Sequence, residues 1–194
     1  MKPTNNLLTT GNPKYGLASA IQAVIGGDFA SRSNGFDLET DEGMDSFVEK
    51  SLDYSYVILN CYTEKMNNYS QARLLHKMYV RWMEQQKHGH VICIGSISDH
   101  INKEQPWLKY ISYGAEKIAL KQLCQTINHN RDTVSPLIRC TYISLGHMHT
   151  PYVDRLHPDE VKLKTETVAE TIQFILNFSE CIEEITLTKD KNNG

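Results

Sequence analysis

Tyr113 and Lys117 stand four residues apart in Tyr113-Gly114-Ala115-Glu116-Lys117. On a helix that spacing brings both side chains to one face, about one turn apart. An ammonium beside a phenol favours the phenolate and lowers the phenol pKa from its usual ~10. Tyr113 then becomes a usable general acid or base near neutral pH. Upstream lies Ile94-Gly95-Ser96-Ile97-Ser98. A hydroxyl there could donate to a carbonyl oxygen as negative charge develops on it, or serve only as a turn residue. Near the N-terminus lies Thr10-Gly11-Asn12-Pro13-Lys14-Tyr15-Gly16-Leu17-Ala18. Glycines at a strand-to-helix turn permit close approach of a pyrophosphate, which the helix N-terminus stabilises. Each motif taken alone is weak, and a Gly-containing strand-to-helix turn is structural more often than not.

These residues need elements to position them. Short apolar runs alternate with amphipathic stretches. The strand candidates are Leu7–Thr10, Phe29–Ser31, Gly35–Leu38, Tyr56–Cys61, His90–Gly95, Pro136–Ile143 and Ile182–Leu187. Helix candidates are Gly16–Ile25, a stretch from Asp41 to Leu52, Asn68–Lys87, Tyr110–Asn128 and one around Val168–Leu176. The near-continuous apolar runs suit strands buried on both faces of a parallel sheet. The pattern predicts an α/β fold of about seven strands with helices on both faces. Ligands bind such sheets outside the carboxyl ends of the strands. The loops to inspect are therefore 11–16, 31–34, 60–63, 96–110 and 145–151.

The chain has 194 residues, with 20 Lys+Arg against 23 Asp+Glu, a formal net charge of −3. A nucleic-acid binder normally carries a basic excess, so none is expected as a partner. The 40% hydrophobic content argues against wholesale disorder. No apolar run reaches the ~18 residues of a membrane helix, and no secretion signal is read at Met1–Asn6. Cys61, Cys93, Cys124, Cys140 and Cys181 are odd in number and widely spread. They read as reduced, packed thiols of a cytoplasmic protein.

The order of the motifs carries more than any one of them. A Gly turn follows strand one, Asn60 ends strand four, Ser96 ends strand five, and Tyr-x-x-x-Lys lies on the next helix. In this order the chain resembles the short-chain dehydrogenase/reductase family over about Leu7–Leu187. Gly11, Gly16 and Leu17-Ala18 resemble the TGxxxGxG cofactor loop. Asn60-Cys61-Tyr62-Thr63 sits where the family has NNAG. Leu145-Gly146 falls at the PG position, and Thr150-Pro151 at the cofactor-contacting Thr. Counting back from Ser96, Asn68 matches the catalytic Asn.

The resemblance implies a Rossmann-like doubly wound parallel sheet, a three-layer αβα domain over 1–194, and a nicotinamide cofactor. Tyr113 would exchange a proton with a carbonyl or alcohol oxygen, and Ser96 would orient that oxygen. Lys117 would hold the nicotinamide ribose, and Asn68 a water linking Lys117 to solvent. Asp37 would lie near the adenine. Gly11, Asn12, Lys14, Gly16, Leu17, Ser31, Arg32, Asn60, Cys61, Gly146 and Thr150 would complete the cofactor site with Tyr113 and Lys117. No carboxylate ends strand two, where Ser31-Arg32-Ser33 stands, and Lys14 lies in the Gly loop. A ribose 2′-phosphate wants Arg or Lys, so NADP(H) is expected over NAD(H).

The pattern also departs from the family. Four residues separate Gly11 from Gly16, Ala18 replaces the last Gly, Pro13 removes a backbone donor, and only Asn60 of NNAG remains. The segment that forms the substrate lid is reduced to about Tyr152–Pro158. A dinucleotide-binding regulatory or scaffold protein, or an epimerase or dehydratase of the same fold, therefore stay open beside the oxidoreductase. His88-Gly89-His90 and His147-Met148-His149 have no ligand spacing with a carboxylate or Cys, and no metal is expected. His147 and His149 are candidates for substrate contact, Trp107 for lining the pocket, and Lys189–Gly194 for a frayed tail. Leu74, Leu75, Met78, Trp82 and Met83 give the helix at 68–87 apolar residues on more than one face. With the resemblance they imply a homodimer or homotetramer.

Overall fold

The computed structural model describes residues 6–61, 70–97, 108–130, 133 and 138–189. Asn68, Trp107 and the tail beyond Lys189 lie outside the described residues, as do the greater parts of the 60–63 and 96–110 loops. Six strands form one parallel sheet: β1 (Leu7–Thr10), β2 (Asp28–Ala30), β3 (Tyr56–Leu59), β4 (Gly89–Ile94), β5 (Ile138–Leu145) and β6 (Glu184–Leu187). Their order across the sheet is β2-β1-β3-β4-β5-β6. The helices are α1 (Gly16–Val24), α2 (Asp41–Ser51), α3 (Ser70–Glu84), α4 (Leu108–Asn130), α5 (Pro151–Leu156) and α6 (Thr165–Asn177).

The apolar runs become strands because both faces of the sheet are covered. Successive residues alternate between two cores. Val57, Leu59, Val91 and Cys93 face α2, α3 and α4, together with Phe47, Met78 and Trp82. Ile58, Ile92 and Ile94 face α1 and α6, together with Ile21, Val168 and Ile172. This is the expected three-layer αβα arrangement. Among the described residues no helix is long and apolar enough to cross a membrane. All five cysteines are free thiols.

Two expectations are corrected. Gly35–Leu38 is not a strand, so among the described residues the sheet has six strands and not seven. Gly35 adopts φ +96° after a short 3-10 turn over Arg32–Asn34 and reverses the chain. Phe36 then packs edge-on against Phe47 of α2, with ring centroids 6.3 Å apart. The Asp37 carbonyl lies where a Cβ on Gly43 would meet it at 2.0 Å. That segment is consumed in seating α2 and adds nothing to the sheet edge. The second correction concerns α3. Leu74, Leu75, Met78 and Trp82 are fully buried, and Met83 packs against the same core. The apolar residues read as a second face therefore point into the chain's own interior.

One close approach positions the end of β4. A Cβ on Gly95 would lie 2.0 Å from Cζ and 2.2 Å from Oη of Tyr142 on β5. Only the missing side chain lets that buried ring approach the strand end so closely. Gly95→Ala is expected to lower the unfolding free energy by about 1–3 kcal/mol through overpacking, measured by urea denaturation.

Candidate active site

The order β2-β1-β3 puts the reversal of winding between β1 and β3. In a doubly wound sheet the crevice outside the strand ends at that reversal is where ligands bind. Thr10 and Asn60 close its floor. The buried Thr10 Oγ1 accepts from the Asn60 amide at 2.7 Å and donates to the Ile58 carbonyl at 3.4 Å. Gly11, at φ +119°, donates its amide to Ala30 of β2 at 2.9 Å. A side chain on Gly11 would meet Ala18 Cβ at 3.3 Å and Asn60 Nδ2 at 3.5 Å. The positive φ favours glycine, and the close neighbours add to that preference. Ala18 is thus accommodated at the motif's last Gly position because Gly11 opposite it is bare.

The loop from Gly11 to Gly16 folds on itself. Asn12 Oδ1 accepts from the Lys14 amide at 3.0 Å, and the Asn12 carbonyl from the Tyr15 amide at 3.2 Å. Asn12 is therefore committed to shaping the loop. Tyr15 at the N-cap of α1 offers no side-chain hydrogen bond. The first-turn amides of α1, those of Gly16, Leu17 and Ala18, lack a side-chain cap at the crevice, the arrangement that suits a phosphate. Gly16 abuts Thr150, whose Cγ2 would lie 3.6 Å from an added Cβ. The loop after β5, carrying Gly146 and Thr150, thus closes against the Gly loop. Thr150 Oγ1 accepts from the Val153 amide at 3.2 Å and caps α5, a helix not expected from the sequence.

Past β2, Ser31 is engaged inside its own turn: its amide donates to Asn34 Oδ1 at 2.7 Å. Arg32 lies 3.1 Å from Asp37 and 2.7 Å from Glu39. The hydrogen bond from Arg32 holds the Asp37 carboxyl below the usual carboxylate range. Asp37 therefore stands as a counter-ion to Arg32. The expected 2′-phosphate ligand already carries two carboxylates, though its side chain remains 62% exposed. Cys61 is half-buried, and burial pushes its thiol up to about 11. It is a neutral wall, not a nucleophile.

At the end of β4, Ser96, Tyr113 and Lys117 lie on adjoining elements. Lys117 is only 3% exposed. Its Nζ donates to Gln71 Oε1 at 2.6 Å and to the Ile94 carbonyl at 3.0 Å, and sits 5.5 Å from the centre of the Tyr113 ring. Burial pushes its ammonium down from the ordinary lysine value. Gln71, fully buried on α3, donates from Nε2 to the Leu59 carbonyl at 2.6 Å and to that of Ile94 at 3.3 Å. It ties the ends of β3 and β4 together while holding Lys117. Its own amide, in the first turn of α3, donates to the buried Glu116 carboxylate at 3.2 Å. Tyr142 Oη accepts from the Ser96 amide at 3.4 Å and donates to the Lys117 carbonyl at 3.3 Å.

Gln71, Glu116 and Tyr142 were not among the expected site residues. A signal for Gln71 exists: it falls in register with Leu74, Leu75, Met78 and Trp82, a polar residue on an otherwise buried stripe. Tyr142 carries no such mark, because an aromatic in a strand reads as core.

No protein-family model and no curated protein matches the sequence. Solved structures do. A short-chain dehydrogenase from Burkholderia cenocepacia J2315, in complex with NADP, aligns with a TM-score of 0.74 at 12% identity, over 96% of this chain and 90% of that one. A short-chain dehydrogenase from Streptomyces avermitilis aligns at 0.69 and 16%, over 98% and 90%. A GDP-L-fucose synthetase from Naegleria fowleri bound to NADP aligns at 0.74 and 14%, over 100% and 75%. At such identities the likeness is one of fold, and the fold is that of the short-chain dehydrogenases.

Gln71 and Lys117 share one buried contact and should not behave independently. A double-mutant cycle of Gln71→Met and Lys117→Met, read by urea unfolding, is expected to give a coupling of about 0.5–3 kcal/mol. Gln71→Met alone should cost about 1–3 kcal/mol, since it leaves strand carbonyls and a buried ammonium short of partners.

Proposed function

We propose that the protein is an NADP(H)-dependent oxidoreductase of the short-chain dehydrogenase/reductase type, acting on a small carbonyl/alcohol pair. The observation that carries this reading is the buried Lys117 beneath the Tyr113 ring, one strand end away from a crevice with an uncapped helix N-terminus. A dinucleotide fits the chain's own features. Gly11 leaves the crevice floor open, the α1 amides suit a pyrophosphate, and Arg32 with Lys14 offers positive charge to a 2′-phosphate. Gly16, Leu17, Ser31, Asn60, Cys61, Gly146 and Thr150 complete the proposed cofactor lining.

The cofactor would supply hydride chemistry when bound. The protein's part is proton transfer and orientation. Tyr113 Oη exchanges a proton with the substrate oxygen. Ser96 orients that oxygen, with its backbone held from behind by Tyr142. Lys117 supplies positive charge beside the phenol, and Gln71 fixes where that charge sits. Asn68 is retained as a candidate for a proton path to solvent. We place the protein in the cytoplasm, consistent with five free thiols, and propose a homodimer or homotetramer built on the outer faces of α3 and α4, where Val80 and Ile118 are exposed. The net charge of −3 argues against a nucleic-acid partner.

A second reading is a dinucleotide-binding regulatory protein without turnover. The altered Gly loop, with Ala18 at its last Gly position, and the survival of Asn60 alone from the NNAG segment favour it. Calorimetric titration with NADPH and NADH tests the cofactor, and turnover in a carbonyl screen separates the two readings. Micromolar binding with NADPH preferred supports the oxidoreductase and warrants a carbonyl screen; binding of neither by folded protein removes it. Tyr113→Phe is expected to abolish turnover while NADPH affinity stays within a few-fold. Turnover that survives refutes the role of Tyr113. Asp37→Asn with Glu39→Gln should tighten NADPH but not NADH, measured in the same titration.

A further inference from the structure

Beyond β5 the chain makes an excursion that returns to its starting point. Met148 and Leu163 form an isolated bridge at its base. The His149 amide donates to the Leu163 carbonyl at 2.9 Å, and the Leu163 amide to the His147 carbonyl at 2.8 Å. Within the excursion α5 ends at Leu156, and a turn follows in which the Glu160 amide donates to the His157 carbonyl at 3.4 Å. Three side chains converge there. His147 Nδ1 bonds one oxygen of Glu160, and His157 Nδ1 lies 3.0 Å from the other. The two imidazole rings are tilted against each other with centroids 4.4 Å apart. One ligand atom from each residue lies within 4.8 Å of the others.

We propose that His147, His157 and Glu160 form a divalent transition-metal site, best suited to zinc, that clamps the 147–163 excursion shut. Two imidazole nitrogens and one carboxylate oxygen are a borderline donor set that zinc accepts and magnesium does not favour. Tetrahedral zinc, with bonds of about 2.0–2.1 Å, separates its ligand atoms by roughly 3.3 Å. The His157–Glu160 separation is already near that value, and the three ligand atoms all lie within 4.8 Å of one another. The backbone bonds at the base hold His147 opposite the 157–160 turn independently of any metal. Three protein ligands leave the fourth position to water or a small anion.

The clamp has a consequence for the crevice. The excursion begins at His147 and passes through Thr150, which abuts Gly16 of the cofactor loop. Metal binding would hold that contact and the α5 segment behind it. The metal site does not depend on the proposed oxidoreductase activity, and its test needs no cofactor.

The test uses tag-free protein stripped with a chelator and dialysed, titrated calorimetrically with zinc chloride and with magnesium chloride. The expected result is one zinc per chain and no magnesium binding. Affinity should fall about tenfold or more in His157→Ala and in Glu160→Gln, and remain unchanged in His88→Ala. All three altered side chains are outside the core, and circular dichroism checks that each variant folds. Absence of zinc binding, or binding that His157→Ala and Glu160→Gln leave intact, overturns the site. Tryptic cleavage after the exposed Arg155 should slow with zinc. Cleavage unaffected by saturating zinc overturns the clamp.

Discussion

A primary ammonium that is almost wholly removed from water must be met by acceptors of the protein, because an unpaired buried charge costs several kcal/mol (about) per ion. Lys117 is that group, and the structure around the candidate site is organised by its need. Its acceptors are the Gln71 side chain and the Ile94 carbonyl. Gln71 can serve only because its amide nitrogen is itself spent on the carbonyls ending β3 and β4. The buried Glu116 carboxylate beside it receives the Gln71 amide at the start of α3, where negative charge is favoured. Two strand ends and two helices are thereby fixed around one cation. The Tyr113 ring lies against it.

The crevice on the other side of β3 follows a different logic. It is built from backbone, with side chains kept out. Gly11 holds a φ of +119° that side chains rarely adopt, and Tyr15 leaves the helix amides uncapped. Thr10 uses its hydroxyl to join β1 to the chain leaving β3. A phosphate held by such a surface meets dipoles that are already oriented. The cationic end is less prepared. Arg32 is paired twice, so discrimination between cofactors rests on whether a 2′-phosphate outcompetes Asp37 and Glu39 in a solvated setting where each pair is weak.

The segment after β5 packs beside the crevice, with Thr150 against Gly16. It holds one short helix and a turn, closed at the base by backbone bonds between 147–149 and Leu163. Polar side chains do the remaining work there. Besides the histidine–glutamate cluster, the nearly buried Lys162 reaches Asp154 at 3.4 Å, and His149 reaches the same carboxylate at 3.1 Å. So small an excursion encloses little apolar surface, and its shape depends on electrostatic and backbone contacts more than on packing.

Alternation of buried runs with amphipathic stretches was enough to determine the layered fold. Residues that alternate between two cores, as Val57, Ile58 and Leu59 do, leave a continuous apolar signature whatever lies far away in the chain. Motif order placed the Gly turn and Ser96 at strand ends and Tyr113 and Lys117 on the following helix, since local spacing and connection rules act over short distances. Tertiary structure alone decided the rest. Gly35–Leu38 has strand-like composition, yet packing against Phe47 and Gly43 of α2 removes it from the sheet. Arg32 reads as a free cation until the turn brings Asp37 and Glu39 to it. Gln71 meets Lys117 across 46 residues, and His147 meets Glu160 across 13. Such meetings depend on how elements cross in space, and no period or spacing along the chain encodes them.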